Sequence, residues 1–162
     1  MTPIGAIEAL PLGRALRDSH TLLGAVATVH LLGVGLLFGS IVVLDLRLLG
    51  LSRSISVRRL AAHVLPWTAL GFLLIVPTGL TMFVAHAGRL IASRLFALKM
   101  GLIFAGAVNA AAFHAGAFRS SPAWDTERMP PSAARAAGAI SLVVWISVIV
   151  CGRMLVARIQ GG

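Results

Sequence analysis

Four long, uninterrupted apolar stretches dominate this chain, at roughly residues 22–44, 66–84, 99–118 and 136–156. A helical span through a hydrocarbon core needs ~20 mostly apolar residues, and each stretch is long enough. Backbone polar groups in lipid must be satisfied within the chain, which leaves helices or a closed barrel. The runs are continuous rather than alternating, which argues against a barrel. The expected fold is therefore all-α: an integral-membrane, four-helix transmembrane bundle with short interfacial helices.

The spans and their short connections use up the 162 residues as one domain, 1–162, and leave no room for a large extramembrane part. Only 12% of residues are charged, about half the usual share of a soluble domain. The net charge of +9 comes from 14 basic residues against five acids. Those basic residues sit between and beside the apolar spans, where headgroup contact explains them better than nucleic acid does. Cys151 is the single cysteine, so no disulfide forms within the chain. The start carries Glu8 and no basic cluster, unlike a cleavable signal peptide. Residues 2–18 read as an amphipathic stretch on the membrane surface. Residues 52–62 read as a second interfacial helix, with Arg53, Arg58 and Arg59 interleaved among Ile55, Val57 and Leu60. This helix leads into Pro66 and Trp67, placed at the first turn of the second span.

Four spans put both termini on one side of the bilayer, called here the terminal face; the other is the far face. Seven basic residues fall on each side, so charge gives no orientation. Gly24, Thr28, Gly35 and Gly39 share one stripe of the first span, and Gly106, Ala110, Ala112 and Gly116 mark the third. Such small faces allow close helix approach in lipid, within a compact bundle or between copies. Pro77 is expected to kink the second span, with Thr78 or Thr81 supplying a hydroxyl to the freed carbonyl. The loop at 119–135, with Trp124, Asp125 and Glu127, is the most polar connection.

An ionisable group deep in a bilayer is costly and usually faces a partner, cofactor or cavity. By helical rise His30 lies about 4–5 Å from the midplane, and His114 about 9 Å towards the far face. His63 and His86 fall about 16–20 Å out, at the interfaces. A b-type haem held by two histidines would pair His30 with His86, or His63 with His114. A soft-ligand set of His30, Cys151, Met82, Met100 and Met154 gathers on the terminal side and suits copper. The alternative for His30 is a neutral imidazole bonded to Ser147 or Asn109. The methionines have an ordinary packing role as their alternative. Asn109, near the midplane, reads as interhelical glue. Asp45 and Arg47 read as an anchor at the far face. No nucleophile triad, paired carboxylate, phosphate loop or HExxH motif is present, so independent catalysis is not expected.

His30-Leu31-Leu32-Gly33, Gly39-Ser40, Asp45-Leu46-Arg47-Leu48-Leu49-Gly50, Pro66-Trp67, Gly71-Phe72 and Thr78-Gly79 occur in that order. Phe96, Lys99, Asn109, His114, Ser141, Trp145 and Gly152-Arg153 follow. Together they resemble a family of small four-helix bacterial inner-membrane proteins of unknown function. More loosely, the chain is similar to CopD-type copper-resistance membrane domains and compact b-type cytochrome domains. That likeness implies a membrane component of a metal or redox system, binding haem b or copper through His30. The rival expectation is a cofactor-free accessory subunit, packed through its glycine faces against a larger membrane complex or another copy of itself.

Overall fold

The computed structural model describes residues 3–160; Thr2, assigned above to the first surface stretch, lies outside them. The described residues form seven α-helices and no strand: α1 (Pro3–Glu8), α2 (Pro11–Asp18), α3 (His20–Leu48), α4 (Val57–Ala85), α5 (Ala87–Ile91), α6 (Arg94–Ala115) and α7 (Ser132–Gln160). Helices α3, α4, α6 and α7 are each long and apolar enough to cross a membrane. Their outer faces carry side chains such as Leu31, Leu73 and Phe104, 68%, 69% and 72% exposed. Apolar surface on that scale is untenable in water and ordinary against acyl chains.

The long helices outrun the apolar windows because their polar ends remain helical. Ser19 caps α3 by accepting the Leu22 N–H, and Ser56 caps α4 by accepting the Arg59 N–H. The Ser56 cap corrects the expectation of a separate surface helix at 52–62. Residues from Val57 onward belong to α4, and 51–56 form an irregular link. Pro66 consequently sits inside α4, not in its first turn. The amphipathic N-terminal stretch is two helices, broken at Ala9 and Leu10 ahead of Pro11. Arg17 ties α2 to the end of α4 by donating to the Ala85 carbonyl, and Glu8 accepts the Gly88 N–H of α5.

In cross-section the long helices run in the order α4, α3, α7, α6. The α3–α4 pair is the closest, and two glycines explain why. A Cβ on Gly71 would lie 2.8 Å from the Leu37 backbone nitrogen and Cβ, and one on Gly33 would lie 2.9 Å from the Leu74 Cβ. Gly35 and Gly39 have open space where a Cβ would go, so the expected small-residue stripe is not what closes the bundle. On the other side Gly106 of α6 lies against Val144 and Trp145 of α7. Asn109 donates to the Ala137 carbonyl at 2.9 Å, tying α6 to α7.

The principal buried apolar cluster sits at the far face: Leu44, Leu48, Val57, Ala61, Val64, Phe113, Trp124 and Ala134. Arg47, 2% exposed, locks it from above. Its Nε donates to the Ile55 carbonyl at 2.6 Å, and its Nη2 to the Asp125 carbonyl at 2.8 Å. The Asp125 carboxylate then accepts from the Ser56 hydroxyl at 2.6 Å and the Arg58 N–H at 3.0 Å. The polar 119–135 loop is therefore pinned to the α3–α4 link instead of standing free.

Candidate functional site

Helices α4 and α6 do not pack along their length, so the ring of long helices is open at that seam. Near the terminal face Phe83 of α4 stacks on Phe96 of α6, with ring centroids 5.7 Å apart, and closes it. Towards the far face the seam widens into a cavity of about 330 Å³ lined by all four long helices. Phe72 and Trp145 meet edge to face at 6.1 Å and roof its inner end. Its walls are mainly apolar, with Leu44, Val64, Ala107, Ala110 and Phe113 among them.

The polar groups of the cavity are Ser40, Asp45, Thr68, Asn109, His114 and Ser141. The local spacing explains how they converge. Ala137, Ser141 and Trp145 recur every fourth residue on α7, one face of a helix. Ile41, Asp45 and Leu48, four and then three residues apart, likewise share one face of α3. Asp45 is 5% exposed, has the Ser141 hydroxyl as its polar neighbour, and leaves Oδ2 enclosed without a partner. An unsatisfied buried oxygen costs about 1–3 kcal/mol, more when charged. Asp45 and Arg47 do not act as one anchor. Two residues apart on a helix they point some 200° from each other, Arg47 to the loops and Asp45 into the bundle.

A second polar cluster lies nearer the terminal face. His30 Nδ1 lies 2.9 Å from Thr78 Oγ1, and Gly79 gives the ring room: a Cβ there would sit 3.3 Å from His30 Cε1. Thr78 donates its only proton to the Leu74 carbonyl, shared with Ile75. It therefore accepts from His30 Nδ1–H, and Nε2 keeps its lone pair. The partner is Thr78, not the Ser147 or Asn109 expected from depth. The threonine hydroxyls also miss the Leu73 carbonyl that Pro77 leaves unpaired; Thr81 donates to Pro77 itself. Lys99 is half-buried inside α6 and acts electrostatically on both His30 and Cys151.

The other expected ligands are scattered. Met100 and Met154 are 40% and 45% exposed on the outer surface, while Cys151 is buried and Met82 half-buried. His86 ends α4, well along the helix from Thr78 where His30 docks. His63 is exposed on the outside of α4; His114 lies edge-on to Phe113 and Phe118 at the far end of the cavity. Among the described residues no three His, Cys, Asp or Glu side chains are grouped closely enough to hold a metal ion.

The sequence reading missed Asp45 as a cavity residue, together with Ser141 and Lys99. The signal was present in the two-residue offset of Asp45 and Arg47 and in the four-residue rhythm of α7.

Comparison with known proteins adds a family but no activity. Residues 14–157 match a family described as of unknown function, DUF6644, which covers all four long helices. No curated protein and no solved structure matches the chain. The looser likeness to copper-resistance and cytochrome domains gains nothing from these comparisons.

Proposed function

Since the chain belongs to the DUF6644 family, whose function is unknown, we propose from its geometry that it is a membrane-embedded binding protein. It takes a small lipophilic molecule from the bilayer through the seam between α4 and α6. The observation that carries this reading is the 330 Å³ cavity, apolar in its walls and polar at its far end. That volume lies at the small end of the ~300–1,000 Å³ range of ligand pockets, and few polar groups in an apolar wall is the usual pattern. A bacterial inner-membrane location, implied by the Asp45–Gly50 run, belongs to the same proposal.

The test is photolabelling in proteoliposomes with an uncharged alkyl diazirine, mapped by mass spectrometry. Labels on Leu44, Thr68 and Ala110 should saturate with probe concentration. Labels on the outward residues Leu73 and Phe104 should rise in proportion to it. Ala110→Trp, which fills the cavity, should abolish the saturable part. Proportional labelling at both sets of positions refutes the reading.

A haem- or copper-binding redox component is a second reading, favoured by one observation: the bare Nε2 of His30, oriented by Thr78. This is the arrangement a metal-bound histidine uses. Against it, the Lys99 ammonium beside His30 and Cys151 opposes a metal cation between them. An absorption spectrum with metal analysis on detergent-purified protein separates the readings: a Soret band or stoichiometric copper supports the redox component. A cofactor-free accessory role in a larger complex is compatible with the binding reading.

A further inference from the structure

The polar groups of the cavity also restrict what its occupant is. This inference rests on the binding reading above and names the ligand class for the same site. The hydroxyls of Ser40 and Thr68 spend their protons on carbonyls of their own helices, Leu36 at 2.7 Å and Val64 at 3.1 Å. The Ser141 hydroxyl is the polar neighbour of the Asp45 carboxyl. Asn109 turns its amino end onto the α7 backbone at Ala137. What these groups leave facing the cavity is mostly lone pairs, with the second Asn109 N–H the one donor unspent among them. Asp45 adds a carboxylate oxygen with no partner at all. His114 brings one acceptor nitrogen and one N–H, and the Trp145 indole N–H lies a turn deeper, at the opposite end from Asp45. No Arg or Lys lines the cavity.

An acceptor-rich, acidic pocket end against an apolar wall is complementary to one chemistry. We infer that the cavity takes an ammonium-headed amphiphile without an acidic group, its head on Asp45 and its apolar body along α4 and α6. The head supplies the hydrogen-bond donors that Asp45 Oδ2 lacks, and the charge that the pocket end lacks. A phosphate beside the head would meet the same lone pairs, so zwitterionic phospholipid is the wrong occupant.

The experiment competes the uncharged diazirine with alkyl chains of one length ending in ammonium, hydroxyl or carboxylate. In wild-type protein the ammonium compound should suppress saturable labelling at a concentration at least about tenfold lower than either other head. Asp45→Asn should lose that preference while keeping saturable labelling by the uncharged probe, which also reports that the variant is folded. Adding ethanolamine phospholipid to phosphatidylcholine vesicles should leave labelling unchanged. Equal potency of the three heads, a better carboxylate, an unchanged preference in Asp45→Asn, or protection by ethanolamine lipid each overturns the inference. Absence of saturable labelling in wild type removes the underlying binding reading instead.

Discussion

At the scale of single residues, close approach and hydrogen-bond economy decide the structure. Gly71 is the clearest case, because a methyl group there has nowhere to go: Leu37 nitrogen and Cβ both stand at 2.8 Å. Gly71→Ala should separate α3 from α4 and destabilise the bundle by about 1–3 kcal/mol. Gly35→Ala, in open space, should change stability by less than about 0.5 kcal/mol. Unfolding in mixed micelles measures both, and equal effects would show that the α3–α4 contact is not built on Gly71. Asn109→Ala should cost about 0.6–2 kcal/mol in the same assay, the worth of one interhelical hydrogen bond in lipid. An unchanged midpoint would remove its role as a tie between α6 and α7.

At the scale of elements, the far-face loops behave as one latched unit. Burial alone would raise the Asp125 carboxyl. The Ser56 hydroxyl, the Arg58 and Val57 N–H groups and the Arg47 guanidinium outweigh it and hold the carboxyl below its ordinary value of 3.8. A carboxyl held low in the folded state stabilises above its ordinary value, and the contribution is lost as pH falls through the folded-state value. Pepsin cleavage within 119–131 should therefore accelerate as pH drops below about 4. Asp125→Asn should be cleaved at a rate independent of pH after correction for pepsin activity; a wild-type rate equally flat would contradict the latch. Much of this level was legible beforehand. The four long apolar helices and the tie at Asn109 follow from hydropathy and depth. The extension of α4 back to Val57 did not, because polar residues at a helix end lower the hydropathy without breaking the helix. Helix depth also placed His30, Met100 and Met154 together, but depth carries no azimuth. The outward turn of both methionines, and of Gly35 and Gly39, is set by which neighbours each helix packs against. Asp45 was misread for the same reason: its level in the bilayer was clear, but not the direction it faces.

At the scale of the whole molecule, the proposed binding function rests on the open seam that four apolar rods leave in a small bundle. The bundle closes on three sides, α3–α4 at Gly33 and Gly71, α3–α7 at Gly138 and α6–α7 at Gly106, and leaves α4 and α6 apart over the cavity. Membrane fractionation should place the chain with integral proteins that resist alkaline extraction; recovery in the aqueous phase without detergent would contradict the reading of its exposed apolar faces. The three tryptophans offer the most direct test of the cavity itself. Trp145 lines it, Trp67 faces outward at 49% exposure, and Trp124 is buried on the inner side of the far-face loop to which it belongs. Fluorine NMR of 5-fluorotryptophan-labelled protein in nanodiscs, titrated with an alkylammonium amphiphile, reads all three at once. The Trp145 resonance should move and saturate while Trp67 and Trp124 hold still. A Trp67 resonance that drifts with amphiphile concentration beside an unmoved Trp145 would contradict it.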